Sequence, residues 1–359
     1  MTLQSSGPID FGQVNVELGL STNAQISFND TMSRLLSKIP SGAVSMSNFY
    51  GRTRYVRIAT KGYAMGGTSG ARVVTTDKIT YSTDTTVAQT TGNLSVIRSW
   101  LTGVSADTKG YSMGGYSGAI VVTTDKITYS TDSTAACTTG NLSQARNGGT
   151  GVSADTKGYA MGGDIGTGVA TTDKITYSTD TTIACTTGNL STVRGYGAGV
   201  GADTKGYAMG GTSGTTVATT DKITYSTDTT IAQTTGNLST VRYGVAGVSA
   251  DTKGYAMGGN AGAYVATTDK ITYSTDTTIA QTTGNLSLAR IGAAGVSADT
   301  KGYAMGGASV IGTYVSTTDR ITYSTDTTIA CTTGNLSTIR GAAAGVSDFN
   351  QSLLKIVYS

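Results

Sequence analysis

The sequence predicts an all-β protein whose main part is a ring of six similar blades, preceded by a small, mainly helical segment. The heptapeptide Lys-Gly-Tyr-Xaa-Met-Gly-Gly occurs six times at a constant spacing of 48 residues, from the copy at Lys61 to the copy at Lys301. An unvarying period of this length is typical of a repeat architecture. The chain of 359 residues contains 50 Gly and 20 Tyr but a single Glu, Glu17, so it is poor in helix formers and rich in strand and turn residues.

The period at residues 243–290 shows the elements of one repeat. It contains four short strand patterns, which we name A to D in chain order, at residues 245–249, 254–257, 265–274 and 279 to about 286. Four antiparallel strands with no helical pattern between them favour a propeller blade over a solenoid coil. We therefore predict a six-bladed propeller over residues 53–359, with sets of B, C and D strands starting near residues 61, 109, 157, 205, 253 and 301.

Closure of the ring follows from the order of the strands. A strand A follows every strand D, and the last strand A lies within residues 343–348, so the first blade has no strand A ahead of its own strand B. If residues 343–348 pair with strand B at 62–65, the ring closes and no sheet edge stays open. Alternatively, residues 55–59 occupy that place, or pair with residues 353–357 as a partial seventh blade.

The repeats also resemble a known family. An aromatic residue precedes the Gly-Gly pair that ends strand B, a Tyr lies in strand C, and an Arg precedes strand A at positions 98, 146, 194, 242, 290 and 340. In this register, residues 52–359 resemble kelch repeats, which implies four-stranded propeller blades. Where kelch repeats carry a Trp in strand D, this chain has Val87, Ala135, Ile183, Ile231, Ile279 and Ile329.

One face of the predicted ring differs between the copies. In a four-stranded blade, the A–B and C–D turns lie on one face, and the B–C loops and D–A segments lie on the other. The first set is almost constant in this chain, whereas the second set varies and contains the only Trp. Loops on a rigid scaffold commonly carry binding residues, and aromatic side chains suit stacking on sugar rings or anchoring a protein partner. The predicted ligand-binding residues are Trp100, Tyr116, Tyr196, Tyr243, Tyr264, Tyr314, Arg72, Asp164 and Asn260.

A second interpretation of this variation is relaxed constraint. Exposed loops of duplicated repeats diverge first, because little packs on them. The clustering of aromatic residues in the variable segments favours binding over drift.

The composition disfavours enzyme chemistry. The chain has no His, which removes the commonest general base and metal ligand. The Asp of the repeated Ser-Thr-Asp-Thr-Thr is interpreted as a turn residue that bonds to its own backbone. Cys137, Cys185 and Cys331 share a repeat position that Gln occupies in the other copies, and we predict unpaired thiols on an outer strand. We expect no catalytic activity, no cofactor and no metal.

Charge and hydropathy limit the partners. The net charge of +3 is spread thinly, without a Lys/Arg block that could follow a phosphate backbone, so nucleic acid is not an expected partner. No apolar run is long enough to span a bilayer, and residues 1–41 lack the features of a secretory signal. We expect a soluble protein without membrane insertion that is not exported by that route.

Residues 1–52 lack the repeat and form a separate predicted unit. Residues 27–39 predict a helix with apolar residues at helical spacing, and a shorter helix is predicted at 10–18. So small a unit buries little by itself, and we expect it to dock on another protein. The predicted docking residues are Phe11, Val14, Leu18, Met32, Leu35, Leu36, Ile39, Phe49 and Tyr50.

This segment resembles the amino-terminal segment of many tailed-bacteriophage virion proteins, including tail and fibre components. The resemblance rests on Ser-Gly-Pro-Ile-Asp-Phe at 6–11, Glu-Leu-Gly at 17–19, Ile-Ser-Phe at 26–28 and Ser-Gly-Ala-Val-Ser-Met-Ser-Asn-Phe-Tyr-Gly at 41–51. It implies a virion protein, assembled in the host cytoplasm and present in several copies or as a homo-oligomer, whose residues 1–52 bind other virion proteins.

The expected function is therefore a phage appendage, such as a tail fibre, that binds a host-surface glycan or protein through its variable loops. The alternative is a structural part of the capsid or tail that contacts only other viral proteins. An intracellular kelch-type scaffold is a third possibility, which the resemblance of residues 1–52 disfavours.

Overall fold

The structure, a computed structural model, describes residues 59–348 and confirms the six-bladed propeller with four antiparallel strands in each blade. The helices, docking residues and virion segment predicted within residues 1–52 lie outside this described part. Within residues 59–348, no helix is long and apolar enough to cross a membrane.

The strands of each blade are ordered A to D, with strand A nearest the axis. Blade 1 consists of β26 (Ala344–Ser347), β1 (Lys61–Met65), β2 (Thr76–Thr80) and β3 (Thr85–Gln89), and blade 2 of β4 (Thr102–Ser105), β5 (Lys109–Met113), β6 (Thr124–Thr128) and β7 (Ser133–Ala136). Blade 3 consists of β8 (Thr150–Ser153), β9 (Lys157–Asp164), β10 (Gly168–Thr176) and β11 (Thr181–Ala184), and blade 4 of β12 (Ala198–Gly201), β13 (Lys205–Thr212), β14 (Thr216–Thr224) and β15 (Thr229–Gln233). Blade 5 consists of β16 (Ala246–Ser249), β17 (Lys253–Met257), β18 (Thr268–Thr272) and β19 (Thr277–Gln281). Blade 6 consists of β20 (Ala294–Ser297), β21 (Lys301–Met305), β24 (Thr318–Thr322) and β25 (Thr327–Ala330), with β22 (Ala308–Val310) and β23 (Thr313–Tyr314) forming a small hairpin in its B–C loop.

The last strand closes the ring. Strand β26 pairs with β1 in antiparallel register, from Gly62 opposite Ser347 to Met65 opposite Ala344. The Asp348 carboxylate then accepts hydrogen bonds from the backbone N–H groups of Thr60 and Lys61 at 2.7 and 2.8 Å. These bonds link the two ends of the described propeller. The predicted closure by residues 343–348 is confirmed, and the alternative that residues 55–59 fill this place is wrong because β26 occupies it.

Strands C and D are shorter than predicted. In blade 5, strand C covers Thr268–Thr272 rather than residues 265–274, and strand D ends at Gln281 rather than near residue 286. Strand D ends there because the Asn285 side chain accepts the backbone N–H of Thr268 at 2.9 Å, in place of a strand partner. The chain then turns inward, and Leu286 becomes buried in the core.

Small residues in strand A are required by the close approach of the inner strands. A Cβ atom added to Gly199 would lie 1.8 Å from the carbonyl oxygen of Gly151 in the preceding blade, and the Gly at this position meets a similar oxygen in every blade. Contacts under 3 Å leave no room for a side chain there. The axis of the ring is therefore lined by backbone at this level.

Buried ion pairs join each blade to the next. The Arg that precedes strand A pairs with the strand C Asp of the following blade, and both side chains are at most 2% exposed. Removing one partner of such a pair leaves a buried charge and costs about 3–5 kcal/mol. The pairs are Arg98–Asp125, Arg146–Asp173, Arg194–Asp221, Arg242–Asp269, Arg290–Asp319 and Arg340–Asp77, the last of which joins blade 6 to blade 1.

The apolar core also lies between blades. The strand B Tyr of one blade stacks on the Tyr that follows strand C of the next, as Tyr207 does on Tyr273 with ring centroids 5.6 Å apart. Met, Ile and Leu from the same two blades fill the remaining space, as in the cluster that contains Met209, Leu238 and Ile271. The blades are therefore held together mainly by contacts with their neighbours.

The three cysteines are unpaired, as predicted. They are buried and immediately follow the outermost strand, so their predicted place on that strand is wrong by one residue. Each Sγ lies 3.7–3.8 Å from the carbonyl oxygen of the turn Asp in the following blade. In the copies with Gln at this position the strand includes the Gln, whose side chain is partly exposed.

Candidate binding face

The two variable sets of segments meet in register. We call the surface made by the B–C loops and D–A segments the variable face. The first residue of each D–A segment forms a two-residue bridge with the first residue of the B–C loop in the next blade, as Tyr243 does with Asn260 through hydrogen bonds of 3.1 and 2.8 Å. The bridged pairs are Gly341 with Thr68, Ser99 with Tyr116, Asn147 with Asp164, Gly195 with Thr212, Tyr243 with Asn260, and Ile291 with Ala308.

At the centre of the variable face, six residues form a closed ring of backbone hydrogen bonds, which we call the axial ring. Each is the middle residue of a D–A segment, and its N–H donates to the carbonyl oxygen of its counterpart one blade earlier, at 2.5–2.8 Å. The N–H of Trp100 completes the circle by donating to Ala342. The members in order are Trp100, Gly148, Tyr196, Gly244, Gly292 and Ala342.

The axial ring requires a left-handed backbone. All six residues have positive φ, between 55° and 68°. Glycine adopts this conformation without penalty, and three members are Gly. A residue with a Cβ loses roughly 1–2 kcal/mol there, so Trp100 and Tyr196 occupy positions that disfavour them.

The indole of Trp100 lies over the axial ring. Its ring meets Tyr196 edge-on with centroids 5.0 Å apart, and a Cβ added to Gly292 would lie 3.2 Å from its Cη2 atom. Tyr196 and Gly292 stand two places from Trp100 on either side of the six-membered ring. The indole therefore covers the axis on this face, and it is partly exposed.

Tyr196 lies over its glycine neighbour. A Cβ added to Gly148 would come within 2.4 Å of the Tyr196 ring, so the absence of a side chain at 148 makes room for it. The Tyr196 hydroxyl donates to Oδ1 of Asn147 at 2.8 Å. Burial raises the pKa of Tyr196 to about 12, and the nearby Asp164 carboxylate and Tyr243 hydroxyl contribute to this shift.

The aromatic side chains continue outward from the axis. Tyr243 lies against Tyr196 with ring centroids 6.4 Å apart, and Nδ2 of Asn260 lies 3.4 Å from the Tyr243 hydroxyl. Burial raises the pKa of Tyr264, and the hydroxyls of Tyr243 and Tyr314 add to the effect because they are close. We call the series Trp100, Tyr196, Tyr243, Tyr264 and Tyr314 the aromatic arc.

The other four predicted binding residues, Arg72, Tyr116, Asp164 and Asn260, are not part of the aromatic arc. Tyr116 stacks with Arg72, whose Cζ lies 4.2 Å from the ring centroid, and this pair belongs to the B–C loops of blades 1 and 2. The carboxylate of Asp164 accepts the N–H of Gly166 at 2.6 Å, and Oδ1 of Asn260 accepts the N–H of Gly262 at 2.8 Å. Asp164 and Asn260 therefore shape their own loops as well as flanking the arc.

Asn147, Val310 and Ile311 of the variable face were not among the predicted binding residues. Asn147 holds the Tyr196 hydroxyl, and its sequence signal was its place beside Gly148 in a variable segment. Val310 and Ile311 lie at the tip of the β22–β23 hairpin and are 58% and 93% exposed. The two-residue insertion in this loop marks the hairpin in the sequence, but exposure at its tip depends on the hairpin fold.

The variable face carries few charges. In the described part of the chain, Arg72 and Asp164 are the charged side chains of the variable segments, one of each sign. The other charged residues belong to the repeated motifs, either as buried Arg–Asp pairs or near the turns of the opposite face. The centre of the variable face is therefore aromatic, polar and uncharged.

The opposite surface, which we call the constant face, is built from the A–B and C–D turns. The carboxylate of the turn residue Asp132 accepts hydrogen bonds from Lys61 at 2.8 Å, Lys78 at 2.5 Å and the Tyr63 hydroxyl at 2.6 Å, all from the neighbouring blade. The interpretation of this repeated Asp as a residue that bonds to its own backbone is therefore wrong, although its φ of 52° does help to make the turn.

These contacts on the constant face change how the turn Asp residues titrate. Burial alone would raise the pKa of Asp132, but the two ammonium groups and the hydroxyl outweigh it and lower the pKa to about 2. Within residues 59–348, no three Cys, Asp, Glu or His side chains form a group that could hold a metal ion.

No protein-family model matches this sequence, and no curated protein matches it. The propeller fold and the geometry of its two faces are therefore the observations on which a functional conclusion rests.

Proposed function

We propose that this chain is a non-enzymatic appendage protein of a bacteriophage virion, such as a tail fibre, which binds a receptor on the host surface through its variable face. Residues 1–52 attach it to other virion proteins, with several copies in each virion. The Arg before strand A, the Gly-Gly pair after strand B and the Tyr that follows strand C support kinship with kelch repeats. The resemblance of residues 1–52 to segments of phage virion proteins supports a location in the virion.

The main support for binding is that two aromatic residues occupy axial-ring positions where the backbone is strained. Drift in an exposed loop replaces residues where replacement costs little. At axial-ring positions with positive φ, the change from Gly to an aromatic residue costs roughly 1–2 kcal/mol of backbone strain. Strained residues that the surrounding structure holds in place concentrate at ligand-binding and active sites, and Trp100 and Tyr196 meet that description.

An adsorption experiment tests the proposal. The full-length chain is added to host cells before the virus, and unadsorbed particles are counted. We expect dose-dependent inhibition that Trp100→Ala and Tyr243→Ala weaken, because both remove a side chain of the aromatic arc. Ile231→Ala is the matched control, since Ile231 is 55% exposed on the outermost strand of blade 4 and belongs to neither face.

The opposite outcome also has a clear meaning. A folded chain that neither binds cells nor slows adsorption would overturn receptor binding. It would favour a structural virion component whose propeller contacts other viral proteins.

A further inference from the structure

The chemistry at the centre of the variable face restricts what can bind there. The axial ring uses its N–H and carbonyl groups internally, so the backbone of these six residues offers few hydrogen bonds to a ligand. Recognition must come from the side chains above it, which are the Trp100 indole and the Tyr196 ring. Both are surfaces for stacking rather than for charge pairing.

Polar groups lie along one side of this aromatic surface, beside Tyr196. Asn147 and Asp164 are bridged to each other beside Tyr196, and the Tyr243 hydroxyl lies near Asn260. Amide, carboxylate and phenol groups donate to and accept from hydroxyl groups. An aromatic platform with such groups at its edge matches a ligand that has an apolar face and a rim of hydroxyls.

The charges on this face disfavour anionic ligands. Cationic side chains make the strongest hydrogen bonds to the anionic groups of a sulfated or sialylated glycan. The single Arg of the variable segments, Arg72, is already engaged by an aromatic side chain, since its Cζ lies 4.2 Å from the centroid of the Tyr116 ring. Asp164, the single carboxylate of these segments, lies close enough to Tyr196 to affect its pKa and would repel an anion at the platform.

We propose that Trp100 and Tyr196 form a binding site for a neutral saccharide, in which one pyranose ring stacks on the indole at the propeller axis. This inference rests on the proposed function and names the class of ligand for the same face. The C–H face of the sugar covers the indole, and its hydroxyls reach Asn147, Asp164 and the Tyr243 hydroxyl. One residue of a longer glycan is held at the axis, and its neighbours lie along the aromatic arc.

The chain contains its own reporter for this site. Trp100 is the only Trp in the 359 residues, so the tryptophan emission of the full-length protein comes from the platform alone. The probes are neutral methyl glycosides of glucose, galactose, mannose and N-acetylglucosamine, together with neutral oligosaccharides of the same sugars. Sialyllactose and heparin fragments serve as anionic comparisons.

We expect saturable changes in emission with at least one neutral probe and none with the anionic ones. Tyr196→Ala keeps the reporter and should weaken binding roughly tenfold, since it removes an aromatic contact and the neighbour that positions the indole. Gly148→Ala should weaken it as well, because its Cβ would displace Tyr196. Gly118→Ala is the matched control, because Gly118 also has positive φ on this face but nothing lies within 4 Å of an added Cβ.

The outcomes separate this inference from the proposed function. If the chain blocks virus adsorption but no neutral saccharide changes Trp100 emission or competes with cell binding, the saccharide site is wrong and receptor binding stands with another class of ligand. Saturable binding that Tyr196→Ala leaves unchanged would also overturn the site. If neutral saccharides bind and Tyr196→Ala weakens them, the site is supported even when the chain does not block adsorption.

Discussion

Two positions in the repeat hold different residues in different blades, and the backbone shows how each difference affects stability. The axial ring places residues at φ near +60°, where Gly would suffice, and yet it holds Trp100, Tyr196 and Ala342. At the other end of strand A, position 201 is Gly where the other five blades have Ser. The first difference adds strain, whereas the second removes hydrogen bonds.

The serines at the end of strand A link neighbouring blades. The backbone N–H of Ser249 donates to Oγ of Ser297 at 2.9 Å, and the same bond recurs around the axis. It is broken at one place, because Gly201 offers no Oγ to Ser153. The Tyr225 hydroxyl lies beside Gly201 and donates to the carbonyl oxygen of Ser153 at 3.0 Å.

We therefore expect Gly201→Ser to stabilise the protein by about 1 kcal/mol, the usual net value of one hydrogen bond. The added Cβ would lie 2.9 Å from the Ser153 carbonyl oxygen, a contact that a small shift relieves, as the five serines at this position show. The thermal midpoint should rise by about 2–4 °C, measured by circular dichroism. Gly199→Ser, two residues earlier, is the control and should destabilise the ring, because its Cβ would lie 1.8 Å from a carbonyl oxygen. An unchanged or lower midpoint for Gly201→Ser would show that the missing serine hydrogen bond does not limit the stability of the ring.

At the scale of elements, strand β26 has a role that no other strand A has. It comes from the far end of the chain, and its pairing with β1 is the only strand pairing that joins the two ends of the described propeller. In the other five blades, the A–B turn connects the two strands covalently. Here the side chain of Asp348 and the backbone of Thr60 replace that connection.

A chain that stops after Ala343 should therefore fail to form a stable ring, since β1 would lose its inner partner and expose the side chains packed against Val346. A chain that stops after Asp348 keeps β26 and is the matched control. Denaturant unfolding followed by tyrosine and tryptophan emission distinguishes them. Equal unfolding midpoints for the two chains would show that β26 does not hold the ring closed.

The sequence predicted the elements well and their ends less well. The number of blades, the strand order and the closing strand follow from the period and from counting strands, which do not depend on side-chain contacts. The end of strand D could not be predicted, because it depends on the Asn285 amide replacing a strand partner of Thr268 across the blade.

The candidate binding face was predictable only in part, for a similar reason. Differences between copies revealed Trp100, Tyr196 and Tyr243, because variation is visible in the sequence itself. Their arrangement over the axial ring was not visible, since it depends on a left-handed backbone and on hydrogen bonds between residues 48 positions apart, such as Gly148 to Trp100.

At the scale of the whole molecule, stability depends on contacts repeated around the ring. The turn Asp of each blade accepts hydrogen bonds from two cationic side chains and a Tyr of the preceding blade. Although burial opposes ionisation, these donors lower the pKa to about 2 for Asp132, Asp180, Asp228, Asp276 and Asp326, and they also lower the pKa of Asp84.

The protein should accordingly lose stability in acid. A carboxyl whose pKa is lower in the folded state than in the unfolded state stabilises the fold above its unfolded pKa and loses that contribution as the pH falls towards its folded pKa. Burial raises the pKa of Asp299 and Asp348, which act in the opposite sense but are fewer. We expect the thermal midpoint to change little near neutral pH and to fall between about pH 5 and pH 2.

Substitution of one turn Asp can test whether these carboxyl groups cause the loss of stability in acid. Asp180→Asn should lower the midpoint at neutral pH and make the decline in acid shallower, because one of the six carboxyl groups no longer titrates. A decline as steep as that of the unaltered protein would mean that other groups cause the acid sensitivity.

The equivalence of the six blade interfaces has a consequence for how such a protein can be rearranged. Each junction uses the same Arg–Asp pair, the same stacked tyrosines and the same Asp–Tyr contact, so no blade is marked by its interfaces as first or last. A circularly permuted propeller, in which Asp348 is joined to Thr60, could therefore begin and end at any of the five A–B turns of blades 2 to 6. Blades are therefore exchangeable at these interfaces, and most of what distinguishes one blade from another lies in the loops that each contributes to the variable face.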